Sequence, residues 1–166
     1  MKKIIAVLMA FLFVFAGTEA FALSGMEAAE LDLTTPCGYS AEELSAGLLG
    51  ELSGFAENFI AAEEKYGVNA LFLAAVAALE SGWGRYCFRP NNIFGWSGKD
   101  FGSKEECIDF VASKIAEHYL SEKGKYYGGK TVSGVNKFYN GNKFWEEKIA
   151  GIMAMISRKT KSAEIG

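Results

Sequence analysis

An unbroken apolar run occupies residues 72–79 and ends at a single carboxylate, Glu80, just before the turn-forming sequence Ser-Gly-Trp-Gly. Asn69 is a suitable N-cap, so the pattern predicts a helix over residues 70–80 that is apolar almost all round and therefore buried. Burial and the negative end of the helix would both favour the protonated form of Glu80, which suits a general acid. The alternative interpretation is a helix-terminal Glu that only reaches solvent.

The start of the chain has the pattern of a secretory signal peptide. Lys2 and Lys3 precede an apolar run over residues 4–16, and the small-residue sequence Ala-Phe-Ala follows at residues 20–22. The run is shorter than the roughly 20 residues that a membrane-spanning helix needs. We therefore expect residues 1–22 to be removed and the protein to be secreted, with no membrane contact afterwards. An uncleaved N-terminal anchor is the alternative.

The rest of the chain is long enough for one domain, which we place at residues 39–160 after a short leader over residues 23–38. The formal net charge of −3 argues against nucleic acid as a partner, because nucleic-acid-binding proteins carry basic surfaces. We expect a monomer without metal or cofactor. The one histidine, His118, has no second ligand at helical spacing.

The three cysteines are Cys37, Cys87 and Cys107. They permit three different single disulfides, and each pairing leaves one thiol over. In a secreted protein a disulfide is as compatible with this pattern as three free thiols are. The sequence leaves the pairing open.

Two capping boxes mark helix starts, Ser40 with Glu43 and Ser103 with Glu106. They predict helices from residue 41 to about 49 and from residue 104 to about 120. Further helices are predicted over residues 55–66, 132–139 and 144–157. The Gly- and Asn-rich residues 82–103 lack a helical period and predict an irregular region with a small strand pair. The expected fold class is α+β, predominantly helical, with a small β element beside a cleft.

Two later segments combine side-chain amides with aromatic rings. The first, Arg-Pro-Asn-Asn-Ile-Phe-Gly-Trp, contains Asn91, Asn92, Phe94 and Trp96, and the second is Lys-Phe-Tyr-Asn-Gly-Asn-Lys-Phe-Trp over residues 137–145. Amides can exchange hydrogen bonds with sugar hydroxyl and acetamido groups, and aromatic faces suit the apolar faces of sugar rings. A plain turn and ordinary core packing are the alternatives for the two segments.

Three motifs in this order resemble a known family. The sequences YGVNALFLAAVAALESGWG, NNIFGW and VSGVNKFYNGNKFWEEKIAGIM are similar to those of the bacterial peptidoglycan glucosaminidases, glycoside hydrolase family 73. The similarity extends from about Tyr39 to Ile156. It implies a lysozyme-like fold and hydrolysis of the β-1,4 bond after N-acetylglucosamine in peptidoglycan glycan strands. It also implies a wall-associated hydrolase of the autolysin or wall-remodelling type.

The resemblance also implies roles for individual residues. Glu80 matches the general acid of the family, and Tyr139 matches a tyrosine thought to position substrate and stabilise charge. The predicted substrate-binding residues are Trp83, Asn91, Asn92, Phe94, Trp96 and Trp145.

Two departures from the family pattern leave the second catalytic group open. The run over residues 95–103 is too short for the β-hairpin that carries a second carboxylate in many members, and Asn142 and Lys143 replace an Asp-Pro pair. Asp100 is then the best-placed second acid, and it could activate water with inversion. Without such an acid, the substrate's own acetamido group could act as an internal nucleophile, with support from Tyr139.

Two other functions compete with glucosaminidase activity. A lytic transglycosylase would cleave after N-acetylmuramic acid through one Glu and without water. A catalytically weak wall-binding module would keep the aromatic groove, although such a module has no need of Glu80.

Overall fold

The computed structural model describes residues 22–164, so the predicted signal peptide lies almost entirely outside the described residues. The helices are α1 (Gly25–Glu30), α2 (Ala41–Gly47), α3 (Ala56–Tyr66), α4 (Ala70–Ser81), α5 (Lys104–Ile115), α6 (Val132–Tyr139) and α7 (Lys143–Glu164). A 3₁₀ segment (Gly50–Phe55) leads into α3, and a π-helical turn (Ala116–Leu120) continues α5. The predominantly helical fold predicted from the sequence is confirmed.

Helix α4 is the buried centre of the domain, as its sequence predicts. Its residues 70–78 are all buried, and it packs against α3 and α7. The Asn69 side chain accepts a hydrogen bond from the N–H of Phe72 at 3.0 Å, and Gly82 ends the helix in the left-handed conformation. These two caps fix the length of the helix and therefore the position of Glu80, one residue before its end.

The buried carboxylate of Glu63 joins three parts of the chain beneath α4. It accepts hydrogen bonds from the N–H of Ala70, the first residue of α4, at 2.7 Å and from the N–H of Cys37 at 2.8 Å. An acidic group at a helix N-terminus is stabilising because it satisfies free N–H groups. The start of α4 is thus anchored independently of the end that carries Glu80.

The segment predicted as a short leader packs into the same core. Ser24 and Glu27 form a capping box that starts α1, and α1 lies against α7. Ala28 and Leu33 are fully buried, and the N–H of Leu33 donates to the carbonyl of Lys130 at 2.8 Å. Residues 23–38 are therefore part of the structural unit rather than a preceding extension.

The second capping box is only half formed. Ser103 caps α5 by accepting from the N–H of Glu106, but the Glu106 carboxylate accepts from the N–H of Gly102 instead of the Ser103 N–H. The π-helical turn at the other end of α5 shifts the register of the last residues, and Tyr119 lies in this turn.

The small strand pair is not confirmed, because residues 22–164 contain no strand. Residues 82–103 form consecutive turns in which asparagine side chains bond to the nearby backbone. A sequence rich in Gly and Asn is compatible with such turns as well as with a short hairpin.

A membrane-spanning helix needs a long apolar stretch, and no helix among residues 22–164 has one.

Candidate active site

A cleft of about 460 Å³ opens where the end of α4 meets the turns after Asn92 and the corner between α6 and α7. Its lining combines one carboxylate with aromatic rings and small polar groups. The lining residues are Glu80, Phe94, Gly95, Trp96, Ser97, Tyr119, Tyr126, Phe138, Tyr139 and Asn140. Mostly aromatic concave sites with few polar groups are typical of small-molecule and sugar binding.

Glu80 is exposed, so the prediction that this carboxyl is buried is wrong. Burial ends at Ala78, and the last turn of α4 carries Glu80 to the surface of the cleft. Its Oε1 accepts a hydrogen bond from the indole N–H of Trp145 at 2.9 Å. Its Oε2 lies towards Gly95, where a Cβ would be 3.6 Å away. The carboxyl is therefore held by one donor on one side and faces the open cleft on the other.

Tyr139 lies beside Glu80 on the same wall. Its ring packs on that of Trp145, with centroids 5.1 Å apart, and its hydroxyl donates to the carbonyl of Phe94 at 3.3 Å. Burial raises the pKa of the Tyr139 phenol, and the nearby charge of Glu80 raises it further. The phenol therefore stays protonated at neutral pH and can act as a hydrogen-bond donor, as the family resemblance requires.

Another part of the cleft wall is built from aromatic rings, and two of them, Tyr119 and Tyr126, were not identified from the sequence as part of a site. Tyr126 lies 5.3 Å from Tyr119 and 6.2 Å from Phe138, measured between ring centroids. In the sequence, Tyr119 belongs to the apolar face of the helix predicted from residue 104 to about 120, and Tyr126 lies in a loop with no recognisable pattern. The only sequence signal for this wall was the aromatic density of residues 137–145.

The two predicted substrate-binding amides are turned into the protein. The Asn92 side chain is buried, donates to the carbonyls of Trp96 and Lys99, both at 2.8 Å, and accepts from the N–H of Trp96 at 2.9 Å. Asn91 donates to the carbonyls of Phe101 and Gly102. Both amides thus hold the turns together, and their geometry gives no support to direct contact with a sugar.

Phe94, Trp96 and Trp145 are brought to the site, whereas Trp83 and Asp100 are not among the residues that line the cleft. Trp83 is half-buried, and its carbonyl accepts from the N–H of Glu51. Asp100 is exposed and lies 3.5 Å from a guanidinium nitrogen of Arg89. Neither side chain forms a hydrogen bond or an ion pair with Glu80 in the described part of the chain.

The other candidate chemical groups do not assemble into a site. Within residues 22–164, no cluster of three or more His, Cys, Asp or Glu side chains could hold a metal ion. The cysteines are free thiols, and burial raises the pKa of Cys37 to about 12 and that of Cys107 to about 11. Such thiols are protonated and poorly nucleophilic at neutral pH.

Comparison with known families agrees with the motifs that shape this cleft. Residues 56–158 match the Glucosaminidase family, described as mannosyl-glycoprotein endo-beta-N-acetylglucosaminidase. The match covers more than half of the chain and includes Glu80, Tyr139 and Trp145. The chain belongs to this family. The resemblance seen in the three sequence motifs is thereby confirmed.

Two proteins of Streptococcus pneumoniae, from strains TIGR4 and R6, are similar to this glucosaminidase domain. Each is named "Putative endo-beta-N-acetylglucosaminidase" and is 38% identical to the chain over 145 residues. The similarity covers 77% of this chain but only 22% and 20% of the two relatives. The chain therefore spans about a fifth of the length of these curated relatives.

Proposed function

We propose that this chain is a secreted glycosidase that hydrolyses the β-1,4 bond after N-acetylglucosamine in peptidoglycan, with Glu80 as the general acid. The proposal rests on one arrangement above all. A single carboxyl faces an otherwise uncharged aromatic cleft at the point where α4 ends. The family of the chain and the names of its relatives support this substrate class. The proposed substrate is the glycan strand of the cell wall, and the proposed location is outside the cell.

The first step would be proton transfer from Glu80 to the glycosidic oxygen as its bond to the anomeric carbon breaks. The resulting positive charge needs a partner, and Glu80 is the only carboxylate among the described lining residues. We therefore favour attack by the substrate's own acetamido oxygen on the anomeric carbon, a recognised exception to the two-carboxylate scheme. Water then displaces the acetamido oxygen from that carbon, which regenerates the acetamido group, and gives its proton to Glu80. Configuration is retained.

Tyr139 has the properties that this route requires of a supporting group. Its phenol is protonated, lies beside Glu80 and bonds only weakly to the Phe94 carbonyl at 3.3 Å. We propose that a bound acetamido group takes over this hydrogen bond. The phenol would then orient the acetamido group for attack.

The decisive experiment replaces Glu80 by Gln, which keeps the shape of the side chain but removes the acidic proton. We expect release of reducing ends from purified cell wall to fall by about 10²- to 10⁴-fold, as is usual when general acid catalysis is lost. The matched control is Glu147→Gln, an exposed carboxylate on α7 outside this cleft. Activity of Glu80→Gln close to that of the control would exclude the acid role.

Mass spectrometry of the fragments separates the proposal from its nearest rival. A reducing N-acetylglucosamine end is expected for a glucosaminidase, whereas an anhydro end would identify a lytic transglycosylase. Wall binding without fragment release would identify a binding module. Secretion is tested separately by mass analysis of exported protein, which should begin at Leu23.

A further inference from the structure

Trp145 was predicted to bind substrate, but its indole is used elsewhere. The side chain is only 5% exposed, and its Nε1–H lies 2.9 Å from Glu80 Oε1. An indole N–H can donate a hydrogen bond but cannot accept one. The contact between these residues therefore has a fixed direction, from the ring to the carboxyl.

That direction distinguishes the two oxygens of Glu80. When the carboxyl is protonated, its carbonyl-type oxygen is the better acceptor, so the bond from Trp145 favours a proton on the other oxygen. The other oxygen is Oε2, which faces Gly95 and the cleft. We propose that Trp145 is a positioning residue that keeps the acidic proton of Glu80 on the oxygen facing the substrate. This inference rests on the proposed function of Glu80.

Trp145 is held firmly enough for such a role. Its ring packs on that of Tyr139, and its backbone N–H donates to the carbonyl of Asn142 at 3.0 Å. The same carbonyl accepts from the buried side chain of Asn136, also at 3.0 Å. The start of α7 and the last turn of α6 are thus joined through one carbonyl group, three residues before Trp145. A rotation of the ring would break the packing with Tyr139 as well as the bond to Glu80.

The surroundings of Glu80 contain few groups that could confuse a pH measurement. The other titratable residues that line the cleft are the phenols of Tyr119, Tyr126 and Tyr139, and burial raises the pKa of Tyr119 and Tyr139. His118 meets the ring of Tyr126 edge-on and is not among the residues that line the cleft. No Lys or Arg belongs to the lining in the described part of the chain.

The test is Trp145→Phe, which keeps an aromatic ring against Tyr139 and removes the N–H. On soluble glycan fragments we expect kcat to fall about tenfold, the order expected for loss of one hydrogen bond to an ionisable group, with KM unchanged. The alkaline limb of the kcat–pH profile should move to higher pH, because the ionised carboxylate loses a hydrogen-bond donor. A purely structural role would lower activity without moving this limb.

Trp96→Phe is the matched comparison, since Trp96 lines the cleft and packs near Tyr139 but does not hydrogen-bond to the carboxyl of Glu80. It should raise KM and leave the alkaline limb in place. The positioning role is excluded if Trp145→Phe raises KM without moving the alkaline limb of the kcat–pH profile, as expected for Trp96→Phe. It is also excluded if Trp145→Phe keeps the wild-type kcat and the wild-type alkaline limb. If Glu80→Gln is fully active, the proposed function itself fails, so the two failures are distinguishable.

Thermal unfolding of each variant checks the fold. Should Trp145→Phe not fold, a benzothiophene analogue of tryptophan at position 145 has the same shape without the N–H. The analogue must reproduce the lowered kcat and the shifted limb. A wild-type profile with the analogue would overturn the proposal.

Discussion

Two segments on either side of Glu80 contain similar residue types, and both contribute aromatic rings to the cleft, but they use their asparagines differently. The loop at residues 91–101 and the corner at residues 138–145 both combine asparagines with aromatic rings. In the loop, the amides of Asn91 and Asn92 bond to the loop's own backbone. In the corner, Phe138 and Tyr139 line the cleft, and Trp145 bonds to Glu80.

The difference follows from the backbone that each segment must satisfy. The loop has no regular structure, so its carbonyl and N–H groups need other partners, and the asparagines supply them. The corner joins α6 and α7, whose backbone groups mostly bond within the helices. The side chains of Phe138, Tyr139 and Asn140 are therefore free to contact the cleft, while Asn142 accepts from the N–H of Phe144. An amide-rich motif in an irregular segment is thus a weaker indication of ligand contact than aromatic rings at a helix end.

Replacing Asn92 should give the largest effect on stability. Asn92→Ala removes the partners of two carbonyls and one N–H at a buried position. We expect a loss of about 2–3 kcal/mol in the free energy of unfolding, since unsatisfied buried polar groups are costly. Urea denaturation measures this loss. Activity should fall as well, because the loop carries Phe94 and Gly95.

Asn140→Ala is the matched control from the corner. Asn140 is exposed, so its replacement should change stability by no more than about 0.5 kcal/mol. If Asn92→Ala were as stable as this control but had a raised KM, the amide would be a substrate ligand after all. The distinction between the two segments would then be wrong.

Two glycines in the loop provide the next test. Gly95 and Gly98 both have positive φ, +62° and +66°, so alanine costs about 1 kcal/mol of backbone strain at either position. Only at Gly95 would the new methyl lie near Glu80, 3.6 Å from Oε2. Gly95→Ala should therefore lower kcat/KM about tenfold, on the order of 1.4 kcal/mol, while Gly98→Ala keeps near wild-type activity.

Equal activity of these two variants would contradict the assignment of Oε2 as the oxygen that faces the substrate. Their melting temperatures should fall by similar amounts, because the strain is the same. This match separates crowding of the cleft from general destabilisation.

Two exposed phenylalanines test the corner. Phe138 is 53% exposed and lines the cleft, whereas Phe144 is 70% exposed and does not. We expect Phe138→Ala to raise KM about fivefold, corresponding to about 1 kcal/mol of aromatic contact, without loss of stability. Phe144→Ala should leave both quantities unchanged. A raised KM in both variants would extend the binding surface beyond the cleft.

Much of the fold could be predicted because its signals are local. The Asn69 cap and the apolar run of α4 each act within a few residues, and both are confirmed. The packing of residues 23–38 could not be predicted in this way. Ala28 and Leu33 meet α7 and the segment near Lys130, which are distant in sequence.

The site was only partly predictable, because several of its contacts join residues that are distant in sequence. The motif around Glu80 placed it at the end of α4, but its exposure depends on where neighbouring segments leave space. The bond from Trp145 joins residues 65 positions apart, and the ring of Tyr126 comes from a loop without a pattern. Contacts of this kind leave no periodic signal in the sequence.

The smallest effect is expected at Asp100, which the sequence made the best-placed second acid. Because Asp100 is exposed and paired with Arg89, Asp100→Asn should change activity by less than about twofold and stability by less than about 0.5 kcal/mol. Kinetics on purified cell wall provide the measurement. A loss of about 100-fold or more would instead indicate a general base, with inverted products. The loop would then move over Glu80 on substrate binding, and the acetamido route would be excluded.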